Sequence, residues 1–428
     1  MLRHVLCATV SAALAAPAFS AEPVDQRLQD IERRMDRLET SNTPVSNPPA
    51  SAGSFNPAIS LILSGTYTNL SQDPANYHIT GFPLPSDAEI GPGTRGFSLA
   101  ESELGIYANI DHYFYGGLNF SIHPDDTVSS EEAFIQTTAL PAGFVVKAGR
   151  FFSGIGYLNA QHAHTWDFAD APLAYQAFLN TQFGDDGVQL RWLAPTPIFL
   201  EFGAELGRGR PFPGSDRDKN GSGASTVFVH VGDDVGVSHS WRAGLSLLST
   251  SPQNREFSET DVAGASAVNS FSGDVKVWIA DFIWKYAPNG NPTYTNFKLQ
   301  AEYLRRTESG NVTFDSDGAL GLTNTDSYSA KQSGWYLQGV YQFLPYWRVG
   351  LRTERLQHGS VDYASNNANL PRPDYNPSKN SVMVDYNPSE FSRIRLQFAR
   401  DEARQEATDN QWWLQYQMSL GAHGAHQF

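Results

Sequence analysis

The feature that most constrains this chain is an alternation of apolar and polar side chains with a period of two, which runs through most of its length. In the final segment, Trp412, Leu414 and Tyr416 fall on one face of an extended strand, while Gln415 and Gln417 fall on the other. Successive side chains of a strand point to opposite faces, so this period predicts β-strands. Many of the segments are about 10 residues long, which is the length that a tilted strand needs to cross a bilayer.

The predicted connections alternate between short turns and longer polar loops. The short turns, rich in Pro, Gly and Asp, lie at 110–113, 140–143, 194–197, 233–238, 288–292, 344–346 and 387–390. The longer loops lie near 71–95, 157–183, 208–224, 252–272, 307–326, 357–376 and 401–410, with one short connection at 124–128. Short turns at one end and long loops at the other are typical of outer-membrane barrels. The sequence therefore predicts an all-β fold, a transmembrane antiparallel barrel of about 16 strands spanning residues 54–428.

The N-terminal region has a different pattern and predicts three separate segments. Residues 1–20 predict a signal peptide, with Arg3 before a short apolar run and a small-x-small cleavage site after it. Residues 21–40 predict a coiled-coil helix, because apolar residues recur at spacings of four and three. This helix could associate with other copies or pack on its own chain. Residues 41–53 predict a flexible linker. We expect a protein of the Gram-negative outer membrane, in contact with its lipid and with the N-terminal arm in the periplasm.

Composition and motifs argue against several classes of function. The net charge of −15 argues against nucleic acid as a partner, because phosphate binding requires clustered Lys and Arg. The single Cys excludes a disulfide framework and a cysteine-based zinc site. The chain has no Gly-x-Ser-x-Gly motif, and Ser238 and His239 are strand neighbours that point to opposite faces. The sequence therefore predicts that the protein is not an enzyme.

Several sequence runs resemble known barrel families. The runs 148–170, 193–196 and 419–426 resemble a family of proteobacterial barrels often labelled zinc-regulated or TonB-dependent receptor. A coiled coil followed by a barrel is also similar to the phosphate-selective porin O/P type. The resemblance covers most of residues 55–428. It implies a porin-like channel, a trimeric homo-oligomer, and inward folding of the loop after the fifth strand, at 157–183.

Charged residues in the inward phase of the strands predict the features that select solutes. Four arginines on nearby strands predict a basic ladder on one wall of the lumen; they are Arg348, Arg352, Arg393 and Arg395. Arg191 is also in the inward phase. Asp167 and Asp170 in the loop would lie opposite the ladder and create a transverse field at the constriction. The alternative is that these charges are paired structural side chains.

Two pairs of histidines are candidate metal ligands. His162 and His164, with Asp167, predict a Zn²⁺ site because imidazole and carboxylate suit zinc. His423 and His426 offer a second candidate near the C-terminus. In a polar loop, such histidines more often make ordinary hydrogen bonds, and this alternative stays open.

A calcium loop is a weaker candidate. Residues 216–221 match the first half of a Ca²⁺ loop, but Val227 stands where the bidentate Glu is needed. A plain turn is the alternative, and no feature of the sequence requires a cofactor. Taken together, the residues and the resemblance predict a channel for passive diffusion of small polar or charged solutes. Two alternatives remain, which are a zinc-linked uptake or binding barrel and a closed structural barrel.

Overall fold

The computed structural model describes residues 57–421, which form a closed antiparallel β-barrel. The strand segments are β1 (Ala58–Leu70), β2 (Gly96–Leu99), β3 (Ser102–Asn109), β4 (Phe114–Ile122), β5 (Val128–Thr137), β6 (Phe144–Phe152), β7 (Gly184–Leu193), β8 (Phe199–Gly207), β9 (Ala224–Val235), β10 (His239–Thr250), β11 (Arg255–Thr260), β12 (Ser266–Tyr286), β13 (Asn296–Phe314), β14 (Asn324–Leu344), β15 (Trp347–Asp362), β16 (Ser378–Ser389), β17 (Ser392–Glu402) and β18 (Asp409–Gly421). One α-helix, α1, spans Leu173–Leu179. The predicted segments 1–20, 21–40 and 41–53 lie outside the described residues.

The 18 segments fill 16 positions around the barrel. The segments β2 and β3 both pair with β1, so they are two parts of one interrupted strand. Likewise, β10 and β11 both pair with β12. Pairing of β1 with β18 closes the sheet, for example at Tyr67 opposite Leu414. The predicted 16-stranded all-β barrel is confirmed.

The outward face of the wall is apolar because of the period-two pattern. Leu351, Leu396 and Leu414 are 64%, 48% and 50% exposed, although they sit in the middle of strands. Exposed aromatic side chains cluster near the short turns; they include Tyr113, Phe114, Tyr294, Tyr346, Trp347 and Phe391. An apolar belt with an aromatic rim is typical of a barrel surrounded by lipid.

Several strands are longer than the sequence pattern predicts. The segments β12 and β14 each have 21 residues, roughly 70 Å of extended chain. The segment β12 begins at Ser266, inside the predicted loop 252–272, and β13 continues to Phe314, inside the predicted loop 307–326. Beyond Tyr303, the outward positions of β13 become polar, with Arg305 and Thr307 first in the series. This part of the wall therefore lacks the apolar face on which the prediction relied.

The hydrophobic core lies inside the barrel, at the end that carries the long loops. Inward side chains of the long strands, such as Phe271, Val277 and Leu304, pack there against α1 and the residues around it. No helix among residues 57–421 is long and apolar enough to cross a membrane.

Candidate functional site: the lumen and its infolded loop

The segment between β6 and β7, residues 153–183, folds into the lumen; we call it the infolded loop. It begins four residues earlier than predicted, because β6 ends at Phe152. Every residue of α1 is at most 1% exposed. The helix contacts β13, β14 and β15. The infolded loop therefore fills the long-loop half of the lumen.

Charged side chains of the wall hold both ends of α1. The backbone N–H of Leu173 donates to Glu354 Oε2 at 2.5 Å, at the helix N-terminus. At the C-terminus, Arg306 Nη1 donates to the carbonyl of Ala177 at 3.3 Å. An acid at the start and a cation at the end complement the helix dipole. Asn180 follows with φ +50°, the left-handed conformation that commonly ends a helix.

A buried carboxylate on β13 fixes the first part of the infolded loop. Glu302 accepts hydrogen bonds from the backbone N–H groups of Tyr157 at 3.1 Å and Leu158 at 3.0 Å. It also accepts from the hydroxyl groups of Tyr175 at 2.7 Å and Tyr336 at 2.5 Å. Four donors on one carboxylate satisfy its acceptors in the core, so the loop has a defined position.

Asp167 of the infolded loop forms ion pairs with the basic wall. Its carboxylate pairs with Lys298 and with Arg348, whose Nη1 lies 3.3 Å from Oδ1. Burial opposes ionisation of Asp167, but the charges of Lys298 and Arg348 outweigh burial and lower its pKa. Asp167 therefore contacts two cations of the basic wall directly.

Asp170 of the infolded loop also forms ion pairs with two cations of the wall. Its carboxylate lies 2.8 Å from Arg352 Nη2 and 2.7 Å from Lys379 Nζ. Gln397 Nε2 donates to it at 2.7 Å. Burial raises the cost of the charge, but Arg352 and Lys379 outweigh it and lower the pKa of Asp170. Asp167 and Asp170 therefore form ion pairs with two arginines of the ladder, as in the alternative of paired structural side chains.

The other ladder arginines bind the backbone of the infolded loop. Arg393 Nη2 donates to the carbonyl of His164 at 2.9 Å, and Arg395 Nη2 donates to that of Trp166 at 3.0 Å. Arg395 also pairs with Asp385 at 2.8 Å. The four predicted ladder residues thus all lie in the lumen, where each contacts the loop. Arg191 lies elsewhere on the wall, and its Nη1 is 3.4 Å from Glu201.

Beneath the infolded loop is an open cavity of about 1180 Å³, which we call the vestibule. It reaches the short turns at Pro197 and Glu390. Its basic lining residues are Lys147, Arg191, Arg242, Lys285, Lys298, Arg348 and Arg393. Tyr115 also faces this cavity, because it is the strand neighbour of the outward Phe114.

Acidic groups of β3 and β5 and imidazole groups of the infolded loop form a compact cluster, which we call the carboxylate–histidine cluster. It consists of Glu103, Glu131, Glu132, His162 and His164. His162 Nδ1 lies 3.1 Å from Glu131 and 3.3 Å from Glu103, while its Nε2 lies 3.1 Å from Glu132. His164 Nδ1 lies 2.6 Å from Glu103. Burial disfavours the charged form of His162, but its hydrogen bonds to Glu131 and Glu132 outweigh burial and raise its pKa.

A β-bulge explains how two consecutive acids reach the same cluster. Asn119 of β4 pairs with Glu132 of β5, whereas the next residue, Phe120, pairs with Ser130. Glu131 is therefore an extra residue without a partner, and the bulge turns its side chain to the lumen. Sequence reasoning missed Glu131 and Glu132; the adjacent acids, which break the alternation, were the available signal.

The predicted metal ligands are only partly together. His162 belongs to a group of ligand atoms within 4.8 Å of one another, but its partners are Glu103 and Glu131. Asp167 is engaged with two cations and is not in that group. His423 and His426 lie outside the described residues. In the candidate calcium loop, Asp216 pairs with Arg208 at 2.9 Å.

Comparisons with known proteins place the chain among barrels of this type. No family model matches it. An uncharacterized protein of Aquifex aeolicus (strain VF5) is 31% identical over 443 residues, which cover 96% of this chain and 88% of that protein. A loop L8 deletion mutant of OmpT, an outer membrane protein of Vibrio cholerae, has a TM-score of 0.52 at 10% identity over 85% of this chain and 99% of that chain. The trimer form of OmpT, folded in vitro, has a TM-score of 0.50 at 11% identity over the same shares of the two chains. These structural likenesses show a shared fold.

Proposed function

Because the chain belongs to the same family as the Aquifex aeolicus protein and folds as an outer-membrane type of barrel, we propose that it is an outer-membrane channel. The channel allows passive diffusion of small polar or charged solutes and has no enzymatic activity. The vestibule carries the proposal, because an open cavity lined by charged side chains lies inside a wall with an apolar outer face. A 16-stranded barrel is wide enough for an aqueous path.

The infolded loop is the proposed constriction. It narrows the lumen from within, and the lining of the vestibule below it carries charges of both signs. Glu103 and Glu132 are among the acidic lining residues, and Arg242, Lys298 and Arg348 are among the basic ones. Such an arrangement orients polar solutes and leaves room for ions of either sign.

A closed barrel without a solute path is the second candidate function. The observation that favours it is the complete burial of α1, since apolar side chains fill the long-loop half of the lumen. In the proposed channel, solutes pass beside the infolded loop or when it moves. In a closed barrel, they do not pass at all.

Single-channel recording in a planar bilayer tests the proposal. The refolded full chain should give stepwise currents. Phe152 and Gly184 are paired neighbours, so a short Asn-Gly turn can replace 153–183 and close the hairpin without strain. This hairpin variant should conduct more than the full chain. As a matched control, replacing the exposed 216–221 by Gly and Ser should leave the step size unchanged.

The outcomes separate the two candidates. Steps that grow in the hairpin variant support a channel narrowed by the infolded loop. Silence of both proteins would refute the channel and favour the closed barrel. Equal steps from both proteins would refute the constriction. Oligomer size in detergent tests the expected trimer separately.

A further inference from the structure

The carboxylate–histidine cluster has the geometry of a cation site. With metal–ligand bonds of about 2.0–2.2 Å, tetrahedral ligand atoms stand roughly 3.4 Å apart. His162 Nδ1 lies 3.1 Å from Glu131 Oε2 and 3.3 Å from Glu103 Oε2. Both distances are close to that spacing, and all three ligand atoms lie within 4.8 Å of one another.

The cluster concentrates carboxylates in a buried place. The side chains of Glu103, Glu131 and Glu132 are 3%, 12% and 12% exposed. Three carboxylates so close together repel one another, and a bound cation would offset that repulsion. The chain nevertheless brings Glu131 into the cluster through a β-bulge, where a regular strand would have turned it away.

Asn119 supplies an independent observation. It is 1% exposed, and its Oδ1 has no hydrogen-bond partner among the described residues. Its Nδ2 lies 3.1 Å from His162 Nδ1 and 2.9 Å from Glu103 Oε2. The two orientations of an amide are nearly indistinguishable in shape, and rotation by 180° directs Oδ1 into the cluster. A cation there would give this buried oxygen the partner that it lacks.

We propose that Glu103, Glu131 and His162 bind a divalent transition-metal ion in the vestibule, with the amide oxygen of Asn119 as a further ligand. Imidazole with carboxylates suits Zn²⁺ and its neighbours, whereas Ca²⁺ and Mg²⁺ prefer oxygen ligands alone. His164 contacts Glu103 at 2.6 Å and acts as a positioning residue for that carboxylate. Glu103 and His162 line the vestibule, so an ion reaches them from the short-turn end.

Isothermal titration calorimetry of the refolded full chain, stripped with EDTA, tests the site with ZnCl₂. We expect one Zn²⁺ per chain, and we expect Ca²⁺ and Mg²⁺ to leave it in place. In His162→Gln and in Glu131→Gln, the affinity should fall by more than about tenfold, since even residues outside the ligand shell contribute that much. Co²⁺ should give visible absorption bands of a protein-bound ion in the wild type and lose them in both variants.

The matched control is Glu201→Gln. Glu201 and His230 form another His–Glu contact in the same vestibule, at 3.2 Å, but among residues 57–421 they belong to no group of three candidate ligands. The affinity of Glu201→Gln for Zn²⁺ should equal that of the wild type. Circular dichroism establishes that each variant has the β-sheet signature of the folded barrel.

Three results would overturn the proposal. The first is a wild type that does not bind Zn²⁺. The second is equal affinity in the wild type, His162→Gln and Glu131→Gln. The third is loss of binding only when His423 and His426 are both replaced by Gln, which would move the site to the C-terminus. None of these results depends on whether the barrel conducts, so the failure of this proposal and that of the channel are distinguishable.

Discussion

Asp170→Asn should release the infolded loop from the barrel wall. The substitution keeps the size of the side chain but removes the negative charge shared by Arg352 and Lys379. All three side chains are at most 5% exposed. Removing one partner from a buried ion pair generally costs about 3–5 kcal/mol, because the remaining charge is left without compensation.

The structure places the expected cost at the lower end of that range. Arg352 keeps Glu354 at 2.6 Å, and Lys379 keeps Asp401 at 3.1 Å, so neither cation is left unpaired. We therefore expect Asp170→Asn to reduce the free energy of loop docking by about 3 kcal/mol. This reduction corresponds to a roughly 150-fold larger population of the undocked loop.

Chymotrypsin cleavage of the folded protein measures that population. The infolded loop has no Lys or Arg, but it has buried aromatic residues at Phe168, Tyr175 and Phe178. When opening and closing are fast, the rate of cleavage follows the open population. Mass spectrometry identifies cuts after these residues, and their rate should rise about 150-fold in Asp170→Asn.

Asp216→Asn serves as the control. Asp216 pairs with Arg208 on the surface, where the two side chains are 59% and 52% exposed. Surface pairs contribute about 0–1 kcal/mol, so cleavage within the infolded loop should be unchanged. The reasoning fails if folded Asp170→Asn is cut at the wild-type rate.

Three further predictions concern the same loop. Because the pKa values of Asp167 and Asp170 are lowered, their stabilisation is complete above the unfolded value near 3.9 and is lost as the pH falls below it. The thermal unfolding midpoint of the wild type in detergent should thus fall as the pH is lowered, and that of Asp170→Asn should fall less. A wild-type midpoint that does not change with pH would contradict this. Phe178→Ala should lower the free energy of unfolding by about 3–5 kcal/mol and accelerate chymotrypsin cleavage, because the ring is fully buried. Unchanged cleavage would contradict the packing role of α1. Gly334→Ala should lower the free energy of unfolding by about 1–3 kcal/mol, because the new Cβ would lie 2.4 Å from a side-chain methyl of Leu356 in β15. The control Gly65→Ala should be neutral, because its Cβ would meet nothing within 4 Å. Equal thermal midpoints of the two variants would contradict this prediction.

The sequence was sufficient to predict the barrel because the wall depends on one local property. The period of two determines which side chains face lipid and which face the lumen, whatever their distant partners are. This period places Arg348 and Arg393 on the inward face, and both line the vestibule. The pattern fails where the outward face is also polar, as in β13 beyond Tyr303, and there the strands are longer than predicted.

The site could be predicted only in part, because it depends on long-range contacts and on one irregularity of the sheet. His162 was identified from its residue type, but its carboxylate partners are about 30 to 60 positions away in the chain. A bulge of one residue changes the facing of Glu131, and a regular period cannot show it. The sequence predicts Asp167 as a metal ligand because it is close to His162 and His164 in the chain. In the fold, Asp167 forms ion pairs with Lys298 and Arg348.

The ion pairs of Asp167 and Asp170 have a consequence for competition between ligands. Both carboxylates are part of the chain, so they act as tethered counterions with a high effective concentration, on the order of mM or more. A dissolved anion at a lower concentration cannot displace them from Arg348 or Arg352 by mass action alone. The infolded loop therefore competes with dissolved anions for these arginines, most strongly at Arg352, whose side chain is 2% exposed.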